Sequence, residues 1–359
     1  MERIRVGIVG CGRIAFSKHM PSLAKIPEVE MGAFCHPDLA RAQRAAMMFG
    51  SPHATVVTDY RELVRDPQID VVHVCTPNAS HAEISIAALR AGKDVMCEKP
   101  MARTSQEAQA MMDAAERSGK KLTISFNNRF RRDSQYLFDA CRRGELGHIY
   151  HAKAHSVRRR GVPTWGHFLD PDVQGGGALV DIGTHALDLT LWLMGNYEPY
   201  MVTGVTYNHL GRMGSTANPF GNWNSHDFAV EDAAFGLIVM KNGASIAIDA
   251  SWALNIREPI EAKCSLFGTM AGADMNEGLR INGERHGKLF VTSVDLDPIG
   301  VNFNDAIAPQ LPQDLEMLRW IDSIIHDTDP CVLPKQAYVV TAIVEALYQS
   351  ANSGSPVYL

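Results

Sequence analysis

Three polar groups stand where a proton could be held or taken up. Cys97-Glu98-Lys99-Pro100 closes an apolar run, which puts Lys99 at the carboxyl end of a predicted strand. Open parallel sheets bind their ligands at that edge. An ammonium there points at a crevice, and burial lowers its pKa towards values useful in proton transfer. The plainer alternative is a surface lysine paired with Glu98. Further along, Gln174-Gly175-Gly176-Gly177 leads into an apolar helix predicted over 178–194 and stopped by Gly195. Asp181, His185, Asp188 and Trp192 recur at i, i+4, i+7 and i+11, so they form one polar stripe. Taken alone, the stripe is a wet helix face; beside a strand-end lysine it reads as a cleft wall. His185 is then the candidate proton acceptor, with Asp181 one turn away to orient it and stabilise its charged form.

A second constellation points to a dinucleotide. Gly10-Cys11-Gly12-Arg13-Ile14-Ala15 contains G-x-G-x-x-A, following a predicted strand and opening a helix. That context allows a tight turn, close backbone approach to a pyrophosphate, and phosphate at a positive helix end. The next strand should finish on an acid if ribose hydroxyls are to be held. His36 occupies that position and Asp38 follows two residues later. A neutral imidazole can bond a ribose hydroxyl and Asp38 can reach back, whereas Arg41 or Arg44 would suit a 2′-phosphate. The balance favours NAD slightly over NADP.

These groups need a scaffold. Residues 1–125 alternate strand-like and helix-like segments: strands 4–9, 29–35, 71–75, 94–97 and 122–125, and helices around Leu23 and over 39–49, 81–91 and 104–118. Continuous apolar strands in that rhythm predict a parallel sheet covered on both faces. From residue 126 to 359 the strands lengthen and alternate, as in 244–252, where Ile246, Ile248, Ala250 and Trp252 share a face. Helices are predicted over 313–325 and 335–349. The expectation is α/β: a Rossmann domain over 1–125 and an α+β domain over 126–359.

Composition is that of a soluble protein. The chain has 359 residues, 46% hydrophobic and 21% charged, and a net charge of -6. A nucleic-acid partner would normally leave a basic footprint, and Arg158-Arg159-Arg160 is too short to be one. No apolar run approaches a membrane-spanning length. Seven scattered cysteines, without C-x-x-C or zinc-like spacing, suit a reducing compartment, so a cytoplasmic location and no metal are expected.

The motifs occur in a recognisable order. Gly10 to Ala15, Cys75-Thr76-Pro77-Asn78 with His81, Glu98-Lys99-Pro100, and Gly175 through Asp181 and His185 together resemble the glucose–fructose oxidoreductase / inositol dehydrogenase (Gfo/Idh/MocA) family. Arg158 to Gly161 with Trp165, Val230-Glu231-Asp232 and Ser251-Trp252-Ala253 extend the likeness over nearly the whole chain. The resemblance implies a second domain with a large, open, mostly antiparallel sheet, and Lys99, Asp181 and His185 as the catalytic set. It also implies that Gly10, Gly12, Arg13, Ile14, His36, Asp38, Thr76, Pro77, Asn78, His81, Glu98 and Lys99 hold the cofactor. His36 departs from the acid that many relatives carry.

Other positions admit two readings each. Asn78 and His81 follow a strand end and face the nicotinamide, or His81 caps its own helix. Asn127 and Arg129 reach a cleft or brace the domain joint. Trp165 stacks on a sugar or only packs; Arg158 contacts substrate or belongs to a solvated run. Asn127, Arg158 and Trp165 therefore join Lys99, Asp181 and His185 as candidate substrate residues. The function these imply is hydride transfer between NAD(P) and a secondary hydroxyl of a sugar, polyol or cyclitol, by a homodimer or homotetramer. The alternatives are a non-catalytic dinucleotide sensor, or an enzyme that uses tightly held NAD for transient oxidation.

Overall fold

The computed structural model describes residues 3–215, 217–296 and 311–359. The chain divides into two units, Met1–Asn127 with Pro309–Tyr338, and Asn128–Ala308 with Val339–Leu359.

In the first unit β1 (Ile4–Val9) leads through a π-turn, Ala15–His19, into α1 (Met20–Leu23). There follow β2 (Val29–Cys35), α2 (Leu39–Phe49), β3 (Thr55–Val57), α3 (Tyr60–Arg65), β4 (Val71–Val74), α4 (His81–Arg90), β5 (Asp94–Glu98), α5 (Ser105–Ser118) and β6 (Leu122–Ser125). The six strands are parallel in the order β3-β2-β1-β4-β5-β6. This is the doubly wound Rossmann order, whose direction of winding reverses between β1 and β4. Val6, Ile8, Val71, Val72, Val74 and Val95 are buried because helices cover both faces. Asp38 caps α2 by accepting from the Ala40 amide, and Thr104 caps α5 by accepting from the Glu107 amide. Neither β3 nor α3 is among the elements predicted from the residue pattern.

The second unit contains α6 (Arg132–Arg142), β7 (Ile149–Val157), α7 (Pro171–Gln174) and a second π-turn, Leu179–Gly183, running into α8 (Thr184–Met194). Next come β8 (Pro199–Tyr207), α9 (His209–Met213), β9 (Ala233–Met240), β10 (Ser245–Ser251), β11 (Ile260–Gly268), β12 (Ala271–Asp274), β13 (Arg280–Arg285) and β14 (Lys288–Ser293). The chain closes with α10 (Pro312–Ile325), α11 (Pro334–Ser353) and β15 (Val357–Tyr358). The nine strands run β14-β13-β12-β11-β7-β10-β9-β8-β15, with β7 and β10 parallel and the other pairs antiparallel. Helix α8 packs on β7 and β11. Ile246, Ile248, Ala250 and Trp252 are buried together, as alternation requires. The other face carries Lys153, His155, Asp249, Phe235, Leu237, Val205 and Tyr207, half-buried or exposed.

The sequence assigned α10 to the second domain, yet it packs within the first unit. Met317, Trp320 and Ile321 join Ile8, Met20 and Leu23 in one core. Asp314 accepts from Ser22 Oγ and Lys25 Nζ, both at 2.7 Å, and Glu316 accepts from Ser125 Oγ at 3.1 Å. Periodicity reveals an apolar stripe but not which core it fills. Among the described residues no helix is long and apolar enough to cross a membrane.

Candidate active site

The loops after β1, β4 and β5 meet at the carboxyl edge of the Rossmann sheet. Gly10 has φ +96, and a Cβ there would stand 2.5 Å from the Cys75 carbonyl oxygen. Only glycine satisfies both constraints. Gly12 is different: a Cβ there would meet no protein atom within 4 Å. Packing does not require a glycine at that position, so its missing side chain leaves room for a ligand above the backbone. That is the fit a pyrophosphate needs at a helix start. Arg13 is exposed and Ile14 half-buried at this turn, while Thr76 and Pro77 line the β4 loop.

His36 ends β2 with its tautomer set. The Asp38 amide donates to Nδ1 at 2.9 Å, so the neutral ring carries its proton on Nε2. Burial, and then the Arg41 charge, lower its pKa. Asp38 is already engaged by the Ala40 amide and by Arg41 at 3.5 Å. Arg44 lies over the Phe16 ring at 5.4 Å.

Lys99 is half-buried and joined to Pro100 by a cis peptide. Two neighbours expected to touch cofactor face inward instead. His81 has no exposed surface; its Nδ1 lies 2.8 Å from the Pro100 carbonyl and its Nε2 2.9 Å from that of Thr76. It braces the β4 and β5 loops and cannot itself reach a ligand. Glu98 is buried with Oε1 2.8 Å from His19 Nε2, and its Oε2 accepts from the Lys99 amide at 3.1 Å. Behind it, His19 Nδ1 lies 2.9 Å from His73 Nδ1. Burial drives His73 well below the ordinary histidine pKa, aided by His19. The Glu98 carboxylate thus accepts from His19 Nε2, and the two imidazoles share one hydrogen bond between their Nδ1 atoms. Burial tends to raise the Glu98 pKa, but the His19 hydrogen bond and charge, with Lys18 and Lys99, hold it down at about 2. Cys75 and Cys97 beside this network have thiols pushed up by burial, which removes them as nucleophiles.

In the second unit the π-turn before α8 carries Asp181, and α8 carries His185, both half-buried. Single π-turns inside helices are frequent at functional sites. The helix start is built on glycines: a Cβ on Gly176 would stand 2.1 Å from Tyr348 Oη, and one on Gly177 2.0 Å from the Glu231 carbonyl. The buried Glu231 carboxylate accepts from the Gly177 amide at 2.8 Å, the Leu179 amide at 3.0 Å and Tyr348 Oη at 2.8 Å. The motif Val230-Glu231-Asp232 marks this residue in the sequence but not its role, because its partners lie 52 to 117 residues away. Asp181 Oδ2 accepts from the Trp252 indole at 2.9 Å.

The polar stripe on α8 is only partly a wall. Asp188 is fully buried and takes Arg129 side-on, Nε at 2.9 Å and a terminal nitrogen at 2.6 Å. Arg129 also lies 5.6 Å from the Trp192 ring, which stacks on Phe138 at 4.1 Å. Arg129 is thus a brace, and the lower half of the stripe is core. Arg158 is paired with Glu261 and donates to the Gly161 carbonyl at 3.0 Å. Neither the solvated run nor an uncommitted substrate ligand describes it. Asn127 is half-buried at the start of a one-turn helix, Asn127–Phe130, and Trp165 is 36% exposed.

Comparison with known proteins follows the same division. Residues 4–126 match the family described as oxidoreductases with an NAD-binding Rossmann fold, and residues 134–274 match the GFO/IDH/MocA C-terminal domain. A D-glucoside 3-dehydrogenase of Escherichia coli (strain K12) is 34% identical over 360 residues, 99% of this chain and 97% of that protein. An oxidoreductase domain protein from Kribbella flavida shares the fold with a TM-score of 0.85 at 23% identity, covering 100% of this chain and 99% of its own. A levoglucosan dehydrogenase in complex with NADH does so at 0.82 and 24%, with 99% of each chain covered.

Proposed function

Because the chain belongs to the Gfo/Idh/MocA oxidoreductase family, we propose that it oxidises a secondary hydroxyl of a pyranoside, polyol or cyclitol with NAD as the hydride acceptor. The observation that carries this reading is the carboxyl edge of the Rossmann sheet. There Gly12 leaves space at a helix start, and Lys99 follows β5 on a backbone fixed by Glu98 and Pro100.

Bound nicotinamide supplies the acceptor for the carbinol hydride. The chain's own work is proton traffic and position. His185 takes the hydroxyl proton, and Asp181 favours the imidazolium that results. Lys99 donates to the same substrate oxygen and stabilises its developing negative charge. Trp252 holds Asp181 through one carboxylate oxygen. Residues near Gly10, Gly12, Arg13, Ile14, His36, Asp38, Thr76, Pro77 and Asn78 form the cofactor surface. The neutral Nε2–H of His36 suits a ribose hydroxyl, which favours NAD over NADP.

The reading extends to a homodimer or homotetramer. The β8–β9 part of the open sheet face, with Phe235, Leu237, Val205 and Tyr207, is an apolar, half-exposed patch of the kind suited to a second copy. All seven cysteines are free, which supports a reducing, cytoplasmic setting.

The direct experiment is Lys99→Ala assayed on a panel of glycosides, aldoses and polyols with either cofactor. Turnover should fall at least about a hundredfold while NAD affinity, measured by fluorescence quenching, is retained. Turnover near that of the unsubstituted protein would remove Lys99 from the reaction.

A further inference from the structure

Three histidines of the first unit are fully buried, and none has a place in the proposed reaction. His19, His73 and His81 each have no exposed surface. An apolar side chain would fill any of these positions without the cost of burying ring nitrogens. His73 shows that the cost is real, because its Nε2 is buried with no hydrogen-bond partner. Packing alone therefore does not account for imidazoles here. What His19 and His81 share is a bond to a group next to Lys99.

Those bonds enclose one short stretch of backbone. The Lys99 amide donates to Glu98 Oε2 at 3.1 Å, and Glu98 Oε1 lies 2.8 Å from His19 Nε2. One residue on, the Pro100 carbonyl lies 2.8 Å from His81 Nδ1. The backbone at Lys99 is thus tied on its amide side through His19 and on its carbonyl side through His81. Glu98 is held ionised, chiefly by His19 against its burial, so the His19 arm is charge-assisted, the stronger class of hydrogen bond. Each ring also has a second arm leading elsewhere. His19 Nδ1 meets His73 at 2.9 Å, and His81 Nε2 meets the Thr76 carbonyl at 2.9 Å. A neutral ring carries one N–H and carbonyls only accept, so neutral His81 serves one carbonyl at a time. Burial lowers its pKa, against the two carbonyl bonds and the Glu98 charge, and favours that form.

We propose that His19 and His81 are positioning residues for Lys99, His19 acting through Glu98 and His81 through Pro100, while their bonds to His73 and Thr76 are dispensable for the reaction. The proposal rests on the role given to Lys99 above and adds the two side chains that aim it. A misplacement of about 1 Å at a reacting group can cost on the order of a hundredfold, so groups this remote can matter.

Amide side chains separate the two arms of each ring. An asparagine amide nitrogen stands about where histidine Nδ1 does, and a glutamine amide nitrogen about where Nε2 does. His19→Gln therefore keeps the bond to Glu98, whereas His19→Asn keeps the one to His73. His81→Asn keeps the bond to Pro100, whereas His81→Gln keeps the one to Thr76. Turnover should fall on the order of tenfold or more in His19→Asn and His81→Gln, and clearly less in their counterparts, with KM and NAD affinity little changed. In a Lys99→Ala background the same substitutions should add almost nothing, because the group they aim is gone. Equal losses within a pair, the reverse order, unfolding of either member, or full additivity with Lys99→Ala would reduce that histidine to packing and overturn its role.

A readout without turnover keeps this proposal apart from the sugar reading. Reductive methylation with isotope-labelled formaldehyde tags lysine amines, and comparison with Lys99→Arg assigns the Lys99 NMR signal in protein with NAD added. If no sugar is oxidised, the proposed reaction fails. A Lys99 signal shifted in His19→Asn and His81→Gln, but kept in His19→Gln and His81→Asn, would still support positioning. A signal unmoved in all four variants would end it.

Discussion

The two units each start a helix with a π-turn after a glycine-rich segment, yet they treat its positive end in opposite ways. In the first, the space over Gly12 is empty of protein atoms. In the second, the Glu231 carboxylate already occupies the amides of Gly177 and Leu179. Both use the attraction of a helix start for negative charge. One keeps it for a ligand; the other uses it internally to fix the segment carrying Asp181 and His185. A glycine motif is therefore not by itself a phosphate site. What surrounds the missing Cβ decides.

Substituting those glycines should separate the two roles. Gly177→Ala places a methyl 2.0 Å from the Glu231 carbonyl, and backbone cannot swing aside as a flexible side chain would. Stability should fall by about 3 kcal/mol or more, read from chemical denaturation. A Cβ on Gly12 meets no protein atom within 4 Å, so in Gly12→Ala the melting temperature should hardly move while NAD affinity drops on the order of a hundredfold. A Gly12 variant that unfolds but binds, or a Gly177 variant that is fully stable, would break the contrast.

The paired glutamates extend the comparison to pH. Burial acts to raise the pKa of Glu98, but His19, Lys18 and Lys99 outweigh it and hold the group at about 2. Folding thus favours its ionised form. The contribution is complete above the ordinary value of 4.5 and disappears as pH falls from there towards 2. It amounts to about 3 kcal/mol, on the scale of 1.36 kcal/mol per pKa unit. For Glu231 burial wins over the hydrogen bonds from Leu179, Tyr348 and Gly177, and its pKa is raised. Its contribution is present below 4.5 and is lost as pH rises through the raised value. In acid titrations of stability, Glu98→Gln should flatten the limb between 4.5 and 2. Glu231→Gln should instead remove a decline on the alkaline side of 4.5. The same sign for both would mean that the His19 network does not hold Glu98 ionised.

The contrast also explains what could be read from sequence. The Rossmann side is built from local signals: Asp38 and Gly50 bracket α2 at the predicted residues, and Thr104 opens α5. Edge strand β3, with three residues, is too short to show a period, and α3 is only six long. Motif spacing singles out Lys99, Asp181 and His185 as candidates, but not the residues that hold them. Trp252 lies 71 residues from Asp181, Glu261 lies 103 from Arg158, and Glu98 is 79 from His19. Such pairings are decided by topology, which a period along one segment does not contain. The same limit put Asp188 on a cleft wall, although Arg129 and the core enclose it.

The smallest expected effect concerns the adenine ribose, where the open helix start should be tuned rather than made or broken. The Asp38 amide fixes the proton of His36 on Nε2, and burial with the Arg41 charge keeps the ring neutral. A neutral donor can serve a ribose hydroxyl but neither attracts nor repels a 2′-phosphate strongly. Arg41, paired with Asp38 at 3.5 Å, has its charge partly compensated, and Arg44 is turned onto Phe16. The unsubstituted protein should therefore bind NAD only a few-fold more tightly than NADP. His36→Asp replaces the neutral donor with a carboxylate that accepts from both ribose hydroxyls and repels the phosphate. The preference for NAD should then widen by about tenfold, roughly 1.4 kcal/mol. Fluorescence titration of both cofactors at low and high salt measures it, since the repulsive part is screened and the hydrogen-bonded part is not. Tighter binding of NADP by the unsubstituted protein would instead assign Arg41 or Arg44 to the phosphate, and Arg41→Ala would then reverse the order.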